Sequence, residues 1–214
     1  MIGDSHCPLC NGRSVVDFFT DKRRSYLRCG DCALVFVPPV YYLDREAERR
    51  EYDLHRNEVH DPGYRSFLAR LAQPLLQRLP HGASGLDFGC GPGPALAQLL
   101  VEGGCQVALY DSFYVPKPEV LAQRYDFICA TEVVEHLHRP GQELQRLWSL
   151  LPVGGWLGVM TKLVRDRQAF AHWHYKNDPT HVCFFSAATW QWWAARAEAT
   201  LEILGSDVII LQKN

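Results

Sequence analysis

The sequence predicts an α/β fold: a doubly wound, mainly parallel sheet with an antiparallel edge, preceded by a small metal-stapled ribbon. Three observations predict it. From residue 84 onward, short apolar runs alternate with helical patterns, as they do when parallel strands are joined by crossover helices. The chain ends in two apolar runs, "TLEIL" and "DVIILQ", around a turn at Gly205, and such a pair lies antiparallel at a sheet edge. At the other end, cysteines fall in two pairs, "CPLC" and "CGDC", with eighteen residues between the pairs. The turn within each pair lets two thiolates converge on one ion. The spacing therefore reads as a structural four-thiolate zinc site formed by Cys7, Cys10, Cys29 and Cys32.

Taken in order, residues 1–40 are the zinc ribbon. "SVVDFF" and "ALVFV" read as short strands flanking the tip "DKRR", which reads as solvated, and Pro38 and Pro39 close the unit. So short a segment cannot bury a stable core alone, which is the physical reason to expect the metal. Residues 41–83 are a helical connector and lid. "LDREAERREYDLHRNE" is a highly charged helix. "YRSFLARLAQPLLQRL" is an amphipathic one, with Leu68, Leu71, Leu75, Leu76 and Leu79 on its apolar side and Pro74 expected to kink or divide it. Residues 84–214 are the main domain. Its strands are "SGLDFG", "CQVALYD", "YDFICAT" and "WLGVMT". Its helices are "PALAQLLVEGG", stopped by Gly103 and Gly104, "GQELQRLWSLL", and "SAATWQWWAARAEA", with Ser186 as its cap.

The totals narrow the function. A net charge of −2 and a pI near 6.5 give no general attraction to nucleic acid or an anionic membrane. No run of eighteen apolar residues is present, and "MIGDSHCPLC" lacks the apolar core of a secretion signal. The expectation is a soluble, cytoplasmic protein with reduced thiols, so that two disulfides among the paired cysteines fit poorly. The remaining cysteines, Cys90, Cys105, Cys129 and Cys183, read as small buried residues.

The segment "GLDFGCGPGP" carries the first chemistry. A glycine-rich turn between a strand and a helix lets a ligand approach the main chain. The loop is neither GxxxxGK[ST] nor a full GxGxxG. Asp87 places an acid at its start, which repels phosphate and suits an amine. Eighteen residues after Gly93, Asp111 ends the next strand, where an acid grips ribose hydroxyls. An amine-binding acid, a glycine turn and a ribose-binding acid describe S-adenosylmethionine better than a dinucleotide or ATP.

Four segments, "LDFGCGPG", "VALYD", "YDFICATEVVEHL" and "LLPVGGWLGVMT", resemble in order the motifs of class I S-adenosylmethionine-dependent methyltransferases of the Methyltransf_23 type. The resemblance spans residues 84–214 and implies a Rossmann-like domain. It implies a cofactor pocket from Asp87, Gly89, Cys90, Gly91, Gly93, Asp111, Phe113, Thr131 and Glu132. One departure stands out. Only thirteen residues separate Asp111 from Tyr125, too few for the usual helix and complete third strand, so that strand is expected to be missing or vestigial. Phe113 then packs on the adenine ring or is an ordinary core aromatic.

The turn "EVVEH" supplies Glu132, Glu135 and His136, which share one face if it is helical. Two functional readings stand. His136 is a general base tuned by the glutamates, or the three residues hold a divalent metal that lowers the pKa of a hydroxyl. A structural role as cofactor-pocket wall is the third reading. The spacing resembles that of metal-dependent small-RNA 3′-terminal 2′-O-methyltransferases and of ubiquinone-pathway O-methyltransferases. The former add a later histidine, here His181 of "NDPTHVCFFS", with Pro179 and Thr180 intervening. Trp173, His174, Tyr175 and Asp178 lie in the same segment, and Tyr64 with the "PVYYL" tyrosines faces the site from the connector.

The expected function is O-methylation of a small-molecule hydroxyl. An RNA methyltransferase is the alternative, because the stretch from Arg13 to Arg28 has five basic and two acidic residues and because a ribosomal-RNA guanine methyltransferase family resembles this layout. A non-catalytic cofactor-binding or scaffold protein is the third. The low overall charge favours the first.

Overall fold

The computed structural model describes residues 6–54 and 58–214. Residues 1–5 of the ribbon and 55–57 of the expected charged helix lie outside the described residues. The chain runs through β1 (Val15–Thr20), β2 (Ser25–Cys29), β3 (Val35–Phe36), α1 (Arg45–Tyr52), α2 (Pro62–Leu76), β4 (Ser84–Phe88), α3 (Ala95–Glu102), β5 (Gln106–Tyr110), β6 (Phe127–Thr131), α4 (Pro140–Ser149), β7 (Trp156–Met160), α5 (Arg167–Ala171), β8 (Cys183–Phe184), α6 (Ala187–Arg196), β9 (Ala199–Leu204) and β10 (Val208–Lys213).

Two sheets result. The larger has the order β5-β4-β6-β7-β10-β9. Its first four strands are parallel, and β10 runs antiparallel to both β7 and β9. Its central strands β4, β6, β7 and β10 are buried, and their side chains divide between the two faces with period two. On β6, Phe127 and Cys129 join Leu71, Leu75 and Leu100 of α2 and α3. Ile128 and Ala130 join Leu144, Leu147 and Trp190 of α4 and α6 on the opposite face. Ser186 caps α6 in a reciprocal pair with Thr189. Pro74 neither ends nor divides α2, which continues to Leu76; one turn from a helix end, few ladder hydrogen bonds are lost to it.

No strand forms between β5 and β6. Asp111 and Val115 make an isolated bridge and a short helical turn covers Pro118–Ala122, so β5 is the sheet edge.

The smaller sheet has the order β1-β2-β3-β8. β2, from "SYLRC", was not among the strands expected from the sequence. It pairs β1 across an irregularity that lies in β1, between Asp17 and Phe19, and its own alternation is poor because the adjacent Tyr26 and Leu27 are both buried while Arg28 is exposed. β8 comes from the segment after β7, and Val35 and Phe36 pair with Phe184 and Cys183. A second junction joins the first cysteine pair to α4. The Gly141 N–H donates to the Pro8 carbonyl at 3.3 Å, and a Cβ on Gly141 would stand 2.1 Å from the Leu9 carbonyl oxygen.

Gly141→Ala forces backbone against backbone there. Chemical denaturation should show a loss of about 1–3 kcal/mol, as for other overpacked contacts. The exposed Gln145→Ala on the same helix should stay within about 0.5 kcal/mol of the parent.

Candidate functional site

The site lies at the carboxyl ends of β4, β5 and β6, around a cavity of about 750 Å³. The loop after β4 is anchored by two amides, as Gly89 and Cys90 donate to the Tyr110 carbonyl at 2.7 and 3.2 Å. Gly89 has φ +76°, and a Cβ there would meet Val133 at 2.4 Å. Gly91 has φ +63° and faces open space, with no atom within 4 Å of where its Cβ would stand. Both conformations favour glycine. Gly89, Cys90 and Gly91 line the cavity. The Gly93 carbonyl, a step further on, accepts from Ala95 N–H at the start of α3.

Asp111 organises this loop. Its carboxylate accepts from Gly91 N–H at 3.1 Å, Phe113 N–H at 2.8 Å and Tyr114 N–H at 3.0 Å. Phe113 lines the cavity beneath the connector, with the Arg45 guanidinium 4.3 Å above its ring and Tyr52 edge-on at 5.4 Å. Tyr64 also lines the cavity, and Tyr42 stacks on the wall residue His138 at 4.2 Å. Tyr52 was not singled out in the sequence, where it is hidden among the charges of α1.

Asp87 does not line the cavity. It is buried at the end of β4 with 3% exposure. Burial raises its carboxyl to about 7, against the Ala97 backbone hydrogen bond that lowers it, and the nearby Asp111 charge adds to the rise.

Beyond β6 the expectation of one helical face fails. Glu132 has φ +52°, a left-handed conformation rare outside glycine, and only Val134–His136 form a helical turn. This bend separates Glu132 from its neighbours. Glu135, His136 and His181 bring ligand atoms within 4.8 Å of one another, and Glu132 stands outside that group. It connects instead through Tyr175, whose hydroxyl lies 3.1 Å from Glu132 and is also hydrogen-bonded to Glu135. One hydroxyl proton cannot serve two ionised carboxylates at once. Burial raises Glu132 to about 7 and pushes fully buried Glu135 well above the usual carboxylate range. Thr131, Glu132, His136 and His181 line the cavity, and Glu135 supports them from behind.

His181 comes from the loop before β8. Its Nδ1 lies 2.7 Å from the Tyr175 carbonyl. A carbonyl only accepts, so Nδ1 carries the proton, and in the neutral ring Nε2 holds the lone pair. Glu135 Oε2, in a side chain with no exposure, lacks a hydrogen-bond partner among the described residues. Two imidazole donors, His136 and His181, beside such an oxygen fit a divalent cation of the manganese, iron, cobalt or zinc kind. Asp178 also faces the cavity. Trp173 lines a separate small pocket, and His174 lies 3.1 Å from Lys162 Nζ.

The four N-terminal cysteines cluster as expected of a zinc-binding knuckle. Cys7–Cys32 and Cys10–Cys29 sulfurs are each 3.5 Å apart. A zinc tetrahedron with Zn–S of about 2.3 Å has sulfur edges of about 3.8 Å, so the spacing fits the ion. Hydrogen bonding from Cys32 draws Cys7 down to about 6, while burial pushes Cys10 up to about 12. Four thiolates this close need a cation between them. Of the other cysteines, Cys105, Cys129 and Cys183 are buried as expected, and Cys90 is on the cavity wall.

The tip "DKRR" is solvated only in part, since Lys22 and Arg23 are exposed and Arg24 is not. Arg24 is 7% exposed and bound to main-chain carbonyls, and Asp21 accepts from Lys176 at 2.7 Å. No helix among the described residues is long and apolar enough to cross a membrane.

The methyltransferase-domain family Methyltransf_23 matches residues 60–202. A search of curated proteins gives no match. Among solved structures, the CurJ carbon methyltransferase is 17% identical, with a TM-score of 0.44 over 70% of this chain. The match spans 54% of that protein, about half its length. A chain of the complex between the Haloferax volcanii Trm112 methyltransferase activator and a putative methyltransferase is 11% identical, covering 78% of this chain and 95% of its own at TM-score 0.49. A putative methyltransferase from Bacillus halodurans is 17% identical, covering 65% and 71% at TM-score 0.47.

Asp87 gives a stability signature. Its carboxyl rises from an ordinary 3.8 to about 7 on folding, so the folded chain holds a proton that the unfolded chain releases between these values. Stability therefore falls as pH climbs through that window. Urea denaturation at a series of pH values should show Asp87→Asn gaining on the parent from about pH 4 to about pH 7. Parallel profiles would mean that Asp87 titrates normally.

Proposed function

The chain belongs to the Methyltransf_23 family and is an S-adenosylmethionine-dependent methyltransferase, and from that premise we propose that it methylates a hydroxyl of a small molecule. The observation that carries the proposal is the Glu135–His136–His181 cluster, set at the end of β6 beside the cavity that Asp111 and the glycine loop enclose. S-adenosylmethionine, when bound, supplies an electrophilic methyl group on a sulfonium. Open space over Gly91 and a cavity of about 750 Å³ suit a ligand of that size. Asp111 accepts from a ribose hydroxyl with the one lone pair, on Oδ2, that its three amides leave, and Asp87, beneath the loop and off the cavity wall, serves the methionine amine through a bridging water. Phe113 lies against the adenine side, and Thr131 and Glu132 border the methionine end.

In the transfer, the acceptor oxygen forms a bond to the methyl carbon as the carbon–sulfur bond breaks, and the hydroxyl gives up its proton. An alcohol at neutral pH does not release that proton unaided. Two arrangements meet the need. His136 accepts it as a general base, or Glu135, His136 and His181 would hold a divalent cation, which would lower the pKa of the acceptor hydroxyl so that its proton leaves to water. The four cysteines hold structural zinc away from this chemistry, since four thiolates leave no open position. The reading assumes a reducing, cytoplasmic compartment.

The test is incubation of the protein with isotope-labelled S-adenosylmethionine, a metabolite pool and, separately, an RNA pool. Label in a small hydroxylated compound supports the proposal; label in RNA overturns it. With the acceptor in hand, His136→Ala should slow turnover roughly 10²–10⁴-fold with cofactor affinity little changed. A chelator mild enough to spare the knuckle should abolish turnover in the cation arrangement and leave it intact in the base arrangement. Asp111→Ala should weaken cofactor binding by about 2–4 kcal/mol in calorimetry. Elemental analysis should give one zinc per chain, lost when Cys29 and Cys32 are replaced by serine.

A further inference from the structure

β2 joins two structures that look unrelated in sequence. It ends at Cys29, inside the sulfur cluster. Immediately before it stands Arg24, a buried guanidinium. Its Nη1 donates to the carbonyls of Pro179 at 3.2 Å and His181 at 2.9 Å. Its Nη2 donates to the Asp178 carbonyl at 2.7 Å and to the Lys176 carbonyl. Nε donates to the Tyr26 hydroxyl at 3.2 Å. Four carbonyls of a six-residue loop thus converge on one side chain.

Main-chain oxygens turned inward need donors, and this loop has too little regular structure to supply them. Arg24 supplies them. The planar five-donor fork is specific to arginine, because an ammonium offers three donors from a single point. Burying the charge is costly unless every donor is used, so the guanidinium and the loop conformation hold each other in place. Neighbours reinforce the arrangement. Asp21 accepts from the backbone amides of Arg23 and Arg24 at 2.9 and 3.1 Å and from Lys176 Nζ at 2.7 Å. The Tyr26 hydroxyl lies 3.3 Å from the Lys176 carbonyl. The loop so held carries Asp178 and His181 to the cavity wall. The His181 carbonyl is itself bound by Arg24, and its ring is fixed by the Tyr175 carbonyl one residue before Lys176.

We propose that Arg24 is a positioning residue for His181, acting through the carbonyls of the loop that carries it. The fork, just before the start of β2, sets the loop. Its catalytic consequence rests on the reading of His181 given above, while the placement of the loop does not.

The test uses the full chain with Arg24→Met, which keeps the stem and removes the fork, and Arg24→Lys, which keeps the charge and folds if burial of a stem-borne cation is all that folding requires. Long-range proton–nitrogen NMR of the His181 ring reads its tautomer. The parent should show protonated Nδ1, and both variants a mixture of tautomers. Added guanidinium ion should restore the parental signal in Arg24→Met. Manganese ion, followed by electron paramagnetic resonance, should bind about 10–100-fold more weakly in both variants, the usual cost of losing a support behind a ligand. S-adenosylmethionine affinity and zinc content should stay near parental values. Unchanged His181 signals in a folded variant overturn the proposal. So does a parallel fall in zinc content and cofactor affinity, which would make Arg24 a general stabiliser. If the parent binds no manganese, the cation arrangement fails, and the tautomer and rescue readouts still decide the role of Arg24.

Discussion

The backbone of one residue, Val182, ties the molecule together. Its N–H donates to the Glu135 carbonyl at 2.8 Å, and its carbonyl accepts from Val37 N–H at 3.0 Å. Three distant segments meet there: the turn after β6, the loop that carries His181, and the last strand of the knuckle. A short cysteine-rich segment has too little apolar surface to stand alone. It is completed by pairing β3 with β8 and by packing Leu34, Phe36 and Val37 into the same core as Phe184, Phe185 and Trp190. The pairing also fixes the height of His181 relative to Glu135. Stability of the knuckle and geometry of the cluster are two effects of one set of hydrogen bonds.

A second constraint is electrostatic. Asp87, Glu132 and Glu135 are all raised by burial around one cavity. Without a nearby positive charge, such groups retain protons rather than bear desolvated charge. A site of this kind favours a cation, and both the sulfonium-bearing cofactor and a divalent ion are cations. The bend at Glu132 belongs to the same design. Its left-handed backbone turns the chain away from β6, and Val133 then occupies the space left free by the missing Cβ of Gly89. The two loops that flank the cavity are therefore interlocked.

The sheet was legible because its central strands are continuous apolar runs and its helices are bounded by plain signals such as Gly103 and Ser186. The loss of a third strand was legible as an interval too short to hold one. The cysteine cluster was legible because two close pairs of thiols have few other uses. Other features were hidden for definite reasons. β2 is short, buries the adjacent Tyr26 and Leu27, and reads as mixed polarity. Arg24 looks like a surface charge within "DKRR", because local sequence gives no sign that a loop some 150 residues later will surround it. Glu132 appears to share a face with Glu135 and His136 only if the backbone is helical, and a positive φ at a glutamate has no signature in the residue types around it.

The absent third strand has a further consequence. In its place, one side of the cavity is walled by α1, which buries none of its own side chains and reaches inward through Glu48 and Tyr52. Residues there are at most half-buried and pack through a few contacts such as Tyr52 on Phe113 and His136, whereas those of β6 are locked between two cores. Substitutions on α1 can reshape the chamber at little cost to folding. The chain thus separates the part that the two cores hold fixed from a half-exposed helix on which the shape of the chamber can be altered.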